Sequence, residues 1–395
     1  MTDSASAAAP DPDWTLDLER VRATFEQSTD FTVALEEEFA IVDPASLDLE
    51  QRFEDLFAAC QADALLAGSA KGELIASEIE IRSGRGGTFA DAVERQRIHR
   101  ARLFSIAEGM GLGLAATGTH PWANYLDQRI IDTPHYQRLQ RDLGYVARRN
   151  NTWSLHVHMG VRGAERAIAV CDSLRAVLPI LLAVSANSPF LDRRDTGLHS
   201  VRTEIFTRVF PRCGIPEPFG SWAEYARFVE LLARTGTIVE STQLWWSIRA
   251  HHEFGTVEVR ICDAQTRGEE SFGLAALIAA CIAQATRDYD EGRASPRPRQ
   301  RELDENVWRA TRYGMDGGLI DFERGATVEA AAEVERLLEW TEPMRAELGL
   351  EVALPELNGA QRARRALDAG ESIESIYRSA VDETRRTYVP EGVLG

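Results

Sequence analysis

The chain has 395 residues, and its 44 Lys+Arg against 62 Asp+Glu give a formal charge of −18. That acidic balance excludes a general nucleic-acid or anionic-membrane binder, which carries a basic field, while 44% hydrophobic residues suffice for a sizeable core. Lys71 is the sole lysine and sits in Ser-Ala-Lys-Gly-Glu, so P-loop and protein-kinase chemistry are excluded, and any phosphate must be met by arginine, metal ions and backbone N–H groups.

In chain order, residues 1–13 read as a disordered tail without the basic and apolar regions of a signal peptide. Trp14–Gln27 has helical spacing, and Phe31–Val42 reads as a strand ended by Asp43-Pro44. A helix over Arg52–Leu66, a strand near Leu74–Arg82 and a long helix over Phe89–Met110 follow. Leu112–Gly118 is a short strand, Thr133-Pro134 caps a helix to about Arg149, and Thr152–Val161 is a strand. Ala164–Asn187 reads as one long helix carrying Pro179; its apolar stretch is broken by polar residues, so it is expected to be buried rather than membrane-spanning. Asp192–Gly220 is loop-rich, Trp222–Arg234 a helix, Gln243–Arg249 and Thr256–Cys262 strands, and Gly268–Arg287 a helix. Asp288–Gln300 reads as a linker, followed by helices near Glu302–Tyr313, Val328–Leu348 and Ser372–Thr387. No repeat or composition break appears, so residues 14–395 are expected to form a single α+β domain: a sheet core over about 31–290 and a helical part over about 300–390. Five cysteines without a CxxC fit a reducing cytoplasm.

Strand side chains alternate between faces, and here the alternation repeats one theme. Leu35, Glu37 and Phe39 oppose Glu36 and Glu38; Ile79 and Ile81 oppose Glu78, Glu80 and Arg82. Val157 and Met159 oppose His156 and His158; Val257, Val259 and Ile261 oppose Glu258 and Arg260. In one strand this is what a half-solvated antiparallel sheet shows. Four strands whose polar faces hold almost only Glu, His and Arg depart from it, because Glu-x-Glu pairs repel unless something positive lies between them. Oxygen-rich clusters with imidazole suit Mg2+ or Mn2+, and Arg82 and Arg260 would then face phosphate or a carboxylate. Arg202 and Arg208 read as anion contacts or surface ion pairs, Trp245-Trp246 as core plus rim, His251-His252 as a solvated loop, and Cys262 as an extension of the polar face.

Leu35-Glu36-Glu37-Glu38-Phe39 with Val42-Asp43-Pro44, Glu78-Ile79-Glu80, His156-Val157-His158, Ser185-Ala186-Asn187-Ser188-Pro189, Trp245-Trp246-x-Ile248-Arg249 and Glu258-Val259-Arg260-x-x-Asp263 together resemble the bacterial carboxylate–amine ligases, the glutamate–cysteine ligase type 2 family. The resemblance implies a glutamine-synthetase-like fold: a curved antiparallel sheet with the active site on its concave face, backed by helices. It implies ATP and Mg2+ or Mn2+, with the γ-carboxylate of glutamate activated as an acyl phosphate and captured by the amine of cysteine or another amine. Carried over, Glu36, Glu38, Glu80, His156 and Glu258, with Glu78 and His158, hold the metals. Arg260 and Arg249 are the candidate catalytic residues, and Arg82, Arg202 and Trp246 the candidate nucleotide contacts. Small-molecule substrates are then the expected partners, without nucleic acid or membrane, and a homodimer is one assembly the chain could form. Two readings compete: a metal-dependent amidohydrolase built on His156-x-His158, and an inactive nucleotide-binding homologue.

Overall fold

The computed structural model describes residues 16–389; the expected tail over residues 1–13, with Trp14, lies outside them. In chain order the strands are β1 (Val33–Val42), β2 (Ala70–Lys71), β3 (Glu78–Arg82), β4 (Gly113–Ala115), β5 (Ser154–Gly160), β6 (Phe190–Leu191), β7 (Arg194–Asp195), β8 (Ile248–His251), β9 (Thr256–Asp263), β10 (Gly318–Asp321) and β11 (Ala326–Glu329). Seven of them form one sheet in the order β2-β3-β1-β5-β9-β8, with β4 on the far end of β1. Every pairing in it is antiparallel. The long central strand β1 holds the sheet together: β3 pairs with its middle, β5 with its first half and β4 with its last three residues.

One face of the sheet is covered by helices, as an α+β fold requires. Helix Gly268–Asp290 packs on β5 and is buried along almost its whole length. Gly273 in it is obligatory, because a Cβ there would stand 1.9 Å from the carbonyl oxygen of Ala353. The stretch expected as one helix over Ala164–Asn187 is two, Ala164–Leu174 and Leu178–Ser185, bent by 62°. Pro179 lacks an N–H and clashes with the carbonyl four residues back, so the first helix stops before it and proline opens the second. Both halves are buried in the core, and among the described residues no single helix is long and apolar enough to cross a membrane.

Further elements depart from the sequence expectation. A helix, Val201–Val209, lies inside the loop-rich stretch; Ser200 caps it by accepting from Thr203 N, and Val201, Ile205 and Val209 repeat every four residues. The β10–β11 hairpin and helix Gly359–Asp368 were not expected either; the helix opens on a reciprocal Asn358–Gln361 capping box.

The helix-covered face is also not wholly apolar. Glu37, on that face as its parity requires, is buried and accepts hydrogen bonds from Gln96 Nε2 (2.8 Å), Arg100 Nη1 (3.2 Å) and Ser271 Oγ (2.5 Å). Arg100 is buried in turn between the rings of Phe272 and Tyr388. A buried carboxylate persists only when paired, and here the pairing is complete.

Candidate active site

Register assembles the other face. Glu36 stands opposite Arg82 on β3 and His156 on β5; Glu38 stands opposite Glu80, and Ala40 opposite Glu78. His158 stands opposite Glu258 on β9, which stands opposite Arg249 on β8. Strands far apart in sequence thus bring Glu36, Glu38, Glu78, Glu80, Arg82, His156, Arg249 and Arg260 to the wall of one cavity of about 240 Å³, together with Arg202 from helix Val201–Val209. His158 and Glu258 are buried against that wall: His158 Nε2 lies 3.4 Å from Glu36 Oε1 and 3.6 Å from Glu258 Oε1.

At the β1–β3 end the carboxylates outnumber their partners. Burial pushes Glu78 and Glu80 well above the usual carboxylate range, and the neighbouring charges of Glu38 and Glu36 add to it. Glu73, from the turn between β2 and β3, is pushed up to about 7 by burial and by Glu38. Glu78 Oε2 is buried without a hydrogen-bond partner among the described residues. Glu38 is better served: Oε2 accepts from Ser154 N and Ser154 Oγ, both at 2.6 Å, and Ser154 Oγ also meets His156 Nε2 at 2.7 Å. Burial likewise opposes the charge on Glu36, yet His158, His156 and Arg82 outweigh it and hold its carboxyl well below the usual range.

At the β8–β9 end the chain supplies its own counter-charges. Burial opposes the ionisation of Glu258, but Arg249 and Arg260 grip both its oxygens and keep it ionised. Burial together with Arg260 lowers His156, so it stands neutral and able to ligate. Arg202 is buried and donates to the carbonyl oxygens of Ile261 (3.1 Å) and Arg260 (3.3 Å), with Asp263 Oδ1 3.6 Å away. Asp263 in turn accepts from Asn187 N (2.9 Å), Ser188 Oγ (2.7 Å) and Ser200 Oγ (2.9 Å). The Ser-Ala-Asn-Ser-Pro motif therefore works by fixing Asp263 beside Arg202. The Nε atoms of Arg202 and Arg260 are buried without a partner among the described residues, and both residues line the cavity.

Three groups of side chains bring possible ligand atoms within 4.8 Å of one another: Glu36, Glu80 and His156; Glu36, His158 and Glu258; Glu38, Glu73 and Glu80. Oxygen donors with imidazole fit hard divalent cations such as Mg2+ or Mn2+, and around Glu73, Glu78 and Glu80 crowding lifts the carboxyl pKa values and leaves a buried Glu78 oxygen unsatisfied.

Several sequence expectations need correction. Trp246, a candidate nucleotide contact, does not reach the cavity: it is buried in the core with Phe219, Tyr225 and Phe228, and its neighbour Trp245 lines the cavity. Parity counted back from Arg249 through Ser247 gives that answer. His251 and His252 are not a solvated loop. His251 ends β8 and lines the cavity, stacked on Phe254 at 4.3 Å, and His252 is buried on the Tyr225 hydroxyl at 2.7 Å. Cys262 leaves the polar face and is buried in the core where helix Leu178–Ser185 packs on β9. Arg208 is an exposed partner of Glu204, the surface ion pair that was one of its two expected readings. Glu73 was missed, since no strand periodicity reaches the turn that carries it.

The comparisons with known proteins agree with this architecture. The glutamate–cysteine ligase family 2 model matches residues 32–383. A Rubrobacter xylanophilus protein named "Putative glutamate–cysteine ligase 2-3" is 37% identical over 360 residues, covering 89% of this chain and 96% of its own. A Solibacter usitatus protein named "Putative glutamate–cysteine ligase 2" is 36% identical over 360 residues, covering 89% and 93%. Glutamate–cysteine ligase from Francisella tularensis, solved in complex with AMP, shares the fold at 10% identity and a TM-score of 0.64, over 92% of this chain and 91% of that one. The bifunctional glutathione synthetase from Pasteurella multocida does so at 12% identity and a TM-score of 0.63, over 93% of this chain and 53% of that one. The chain belongs to glutamate–cysteine ligase family 2 and is a carboxylate–amine ligase, an enzyme that forms a C–N bond.

Proposed function

We propose that this ligase joins the γ-carboxylate of L-glutamate to an amino group, that of L-cysteine in the reaction its relatives are named for, at the expense of ATP. A carboxylate oxygen takes the γ-phosphoryl group and ADP leaves. The amine nitrogen then attacks the acyl carbon, phosphate leaves, and the amine gives up a proton. The observation that carries this reading is the division of one cavity wall into a carboxylate cluster short of cations and an arginine cluster with unpartnered N–H donors. Phosphoryl transfer needs that pairing, since positioning and charge neutralisation do most of its work. The AMP bound to the Francisella ligase supports a nucleotide in this fold.

Glu36, Glu38, Glu73, Glu78, Glu80, His156, His158 and Glu258 would hold Mg2+ or Mn2+, which when bound neutralises phosphate oxygens. Arg260 and Arg249, locked by Glu258, orient their guanidinium groups along the wall and stabilise charge developing on the transferring group. Arg202, at the cavity wall, is the candidate contact for a phosphate or substrate carboxylate, and Arg82, braced by Glu80 and Glu36, keeps the acid end from repelling an anion altogether. Product analysis tests the reading: with glutamate, an amine and Mg-ATP, ADP and phosphate should appear in equal amounts. AMP and pyrophosphate would replace the acyl phosphate with an adenylate and overturn it.

A further inference from the structure

The charged face is only one part of the cavity wall. Leu74, Tyr136, Leu139, Leu143, Phe206 and Trp245 line the same space. Leu74 and Leu139 belong to a small apolar cluster separate from the two main cores, and Tyr136, Leu143 and Trp245 pack on it. Phe210 extends the surface, with its ring 5.2 Å from that of Phe206 and 6.1 Å from that of Trp245. Tyr136, Leu143, Phe206 and Trp245 are only half-buried. Apolar surface left open inside a cavity is what a ligand's apolar part covers, since that removes both surfaces from water.

A cysteine side chain, one methylene and a thiol, is too small to cover this surface. We propose that the preferred acceptor amine carries a bulky apolar or aromatic group, which lies on the Tyr136–Leu143–Phe206–Trp245 wall while its nitrogen meets the acyl group at the carboxylate face. This rests on the ligase reading above. The adenine of ATP has the same flat apolar chemistry, so the experiment must tell the two occupants apart.

The wild-type chain is assayed for ADP release with glutamate and Mg-ATP, using 2-phenylethylamine and L-phenylalanine against L-cysteine, L-alanine and methylamine. At least one of the two aromatic amines should exceed cysteine in kcat/KM by about 10-fold or more, the scale on which apolar pockets discriminate. Trp245→Ala and Phe206→Ala should raise the KM of that amine about tenfold while the KM for ATP holds. Cysteine or alanine matching or beating both aromatic amines overturns the inference without any variant. A rise in the KM for ATP alone overturns it by assigning the wall to adenine. Hydroxylamine, which traps an acyl phosphate without needing a side chain, separates the failures. Hydroxamate formed from glutamate, with no preference for aromatic amines, sinks this inference and leaves the ligase reading standing. No hydroxamate and no ADP sinks the ligase reading, and this inference with it.

Discussion

At the β1–β3 end of the reactive face, Glu38, Glu73, Glu78 and Glu80 have between them one arginine ion pair among the described residues, that of Arg82 with Glu80. At the β8–β9 end, Glu258 alone is gripped by Arg249 and Arg260. Both ends bury carboxylates on neighbouring strands, yet burial drives Glu78 and Glu80 toward their neutral forms while arginines hold Glu258 ionised. The contrast separates two ways of keeping charge inside a protein. One end is balanced largely by the chain's own arginines. The other is left short of positive charge and is ready for cations from outside.

The largest effect should come from the ligands of the acid end. Glu36→Ala and Glu38→Ala should each lower ADP release by about 10²- to 10³-fold, with the circular dichroism spectrum unchanged. Near wild-type turnover in either variant would remove that residue from the set.

Stability should then split the two ends. Glu258→Ala leaves Arg249 and Arg260 buried without their partner and should cost about 3–5 kcal/mol in urea unfolding. Glu37→Ala on the helix-covered face should cost a similar amount by orphaning Arg100, while any surviving activity keeps its metal dependence. Glu78→Gln in metal-free buffer should cost nothing or raise the melting temperature, because glutamine keeps the neutral form that burial favours there and avoids the cost of protonating the carboxyl. Equal losses for Glu258→Ala and Glu78→Gln would erase the distinction.

The pH dependence sharpens it. Between about 4.5, the ordinary glutamate value, and about 7, the folded chain holds on Glu73 a proton that the unfolded chain releases. Metal-free stability should therefore fall as pH rises through that window, and Glu78 and Glu80, also raised, act in the same direction. Glu258 and Glu36 have the opposite sign: their contribution is present above the ordinary carboxylate value and is lost below it, as pH falls through their depressed values. Saturating Mg2+ should flatten the upper slope and leave the lower one; thermal melts from pH 4 to 8 with EDTA or Mg2+ check both. An upper slope indifferent to Mg2+ would mean that the acid end takes no cation.

The smallest effect is expected from Arg260→Lys, which keeps the charge and loses the planar fork. It should lower kcat by about 10-fold, with less change in the KM for ATP. Wild-type kcat would reduce Arg260 to a structural partner of Glu258.

Much of this face was legible beforehand, because side-chain parity is a property of one strand. Glu36, Glu38, Glu80, His156 and Glu258 could be assigned to it without knowing which strands were neighbours. The same rule put Glu37 behind the sheet, where Arg100 and Ser271 meet it. Parity was silent for Glu73, which sits on a turn. For Trp246 it was available, and it places that ring in the core and Trp245 at the cavity. The four-residue repeat of Val201, Ile205 and Val209 was likewise present, hidden by the composition around it.

The sequence by itself determined the residue types, the period-two alternation and the lack of any lysine but Lys71, and so the kind of chemistry the chain can perform. Tertiary structure alone decided which carboxylates share an arginine, which stand without one, and that Arg202 and an apolar wall line the same cavity. The reason is range: alternation is set by adjacent peptide units, whereas charge balance and burial are sums over strands and helices brought together from opposite ends of the chain.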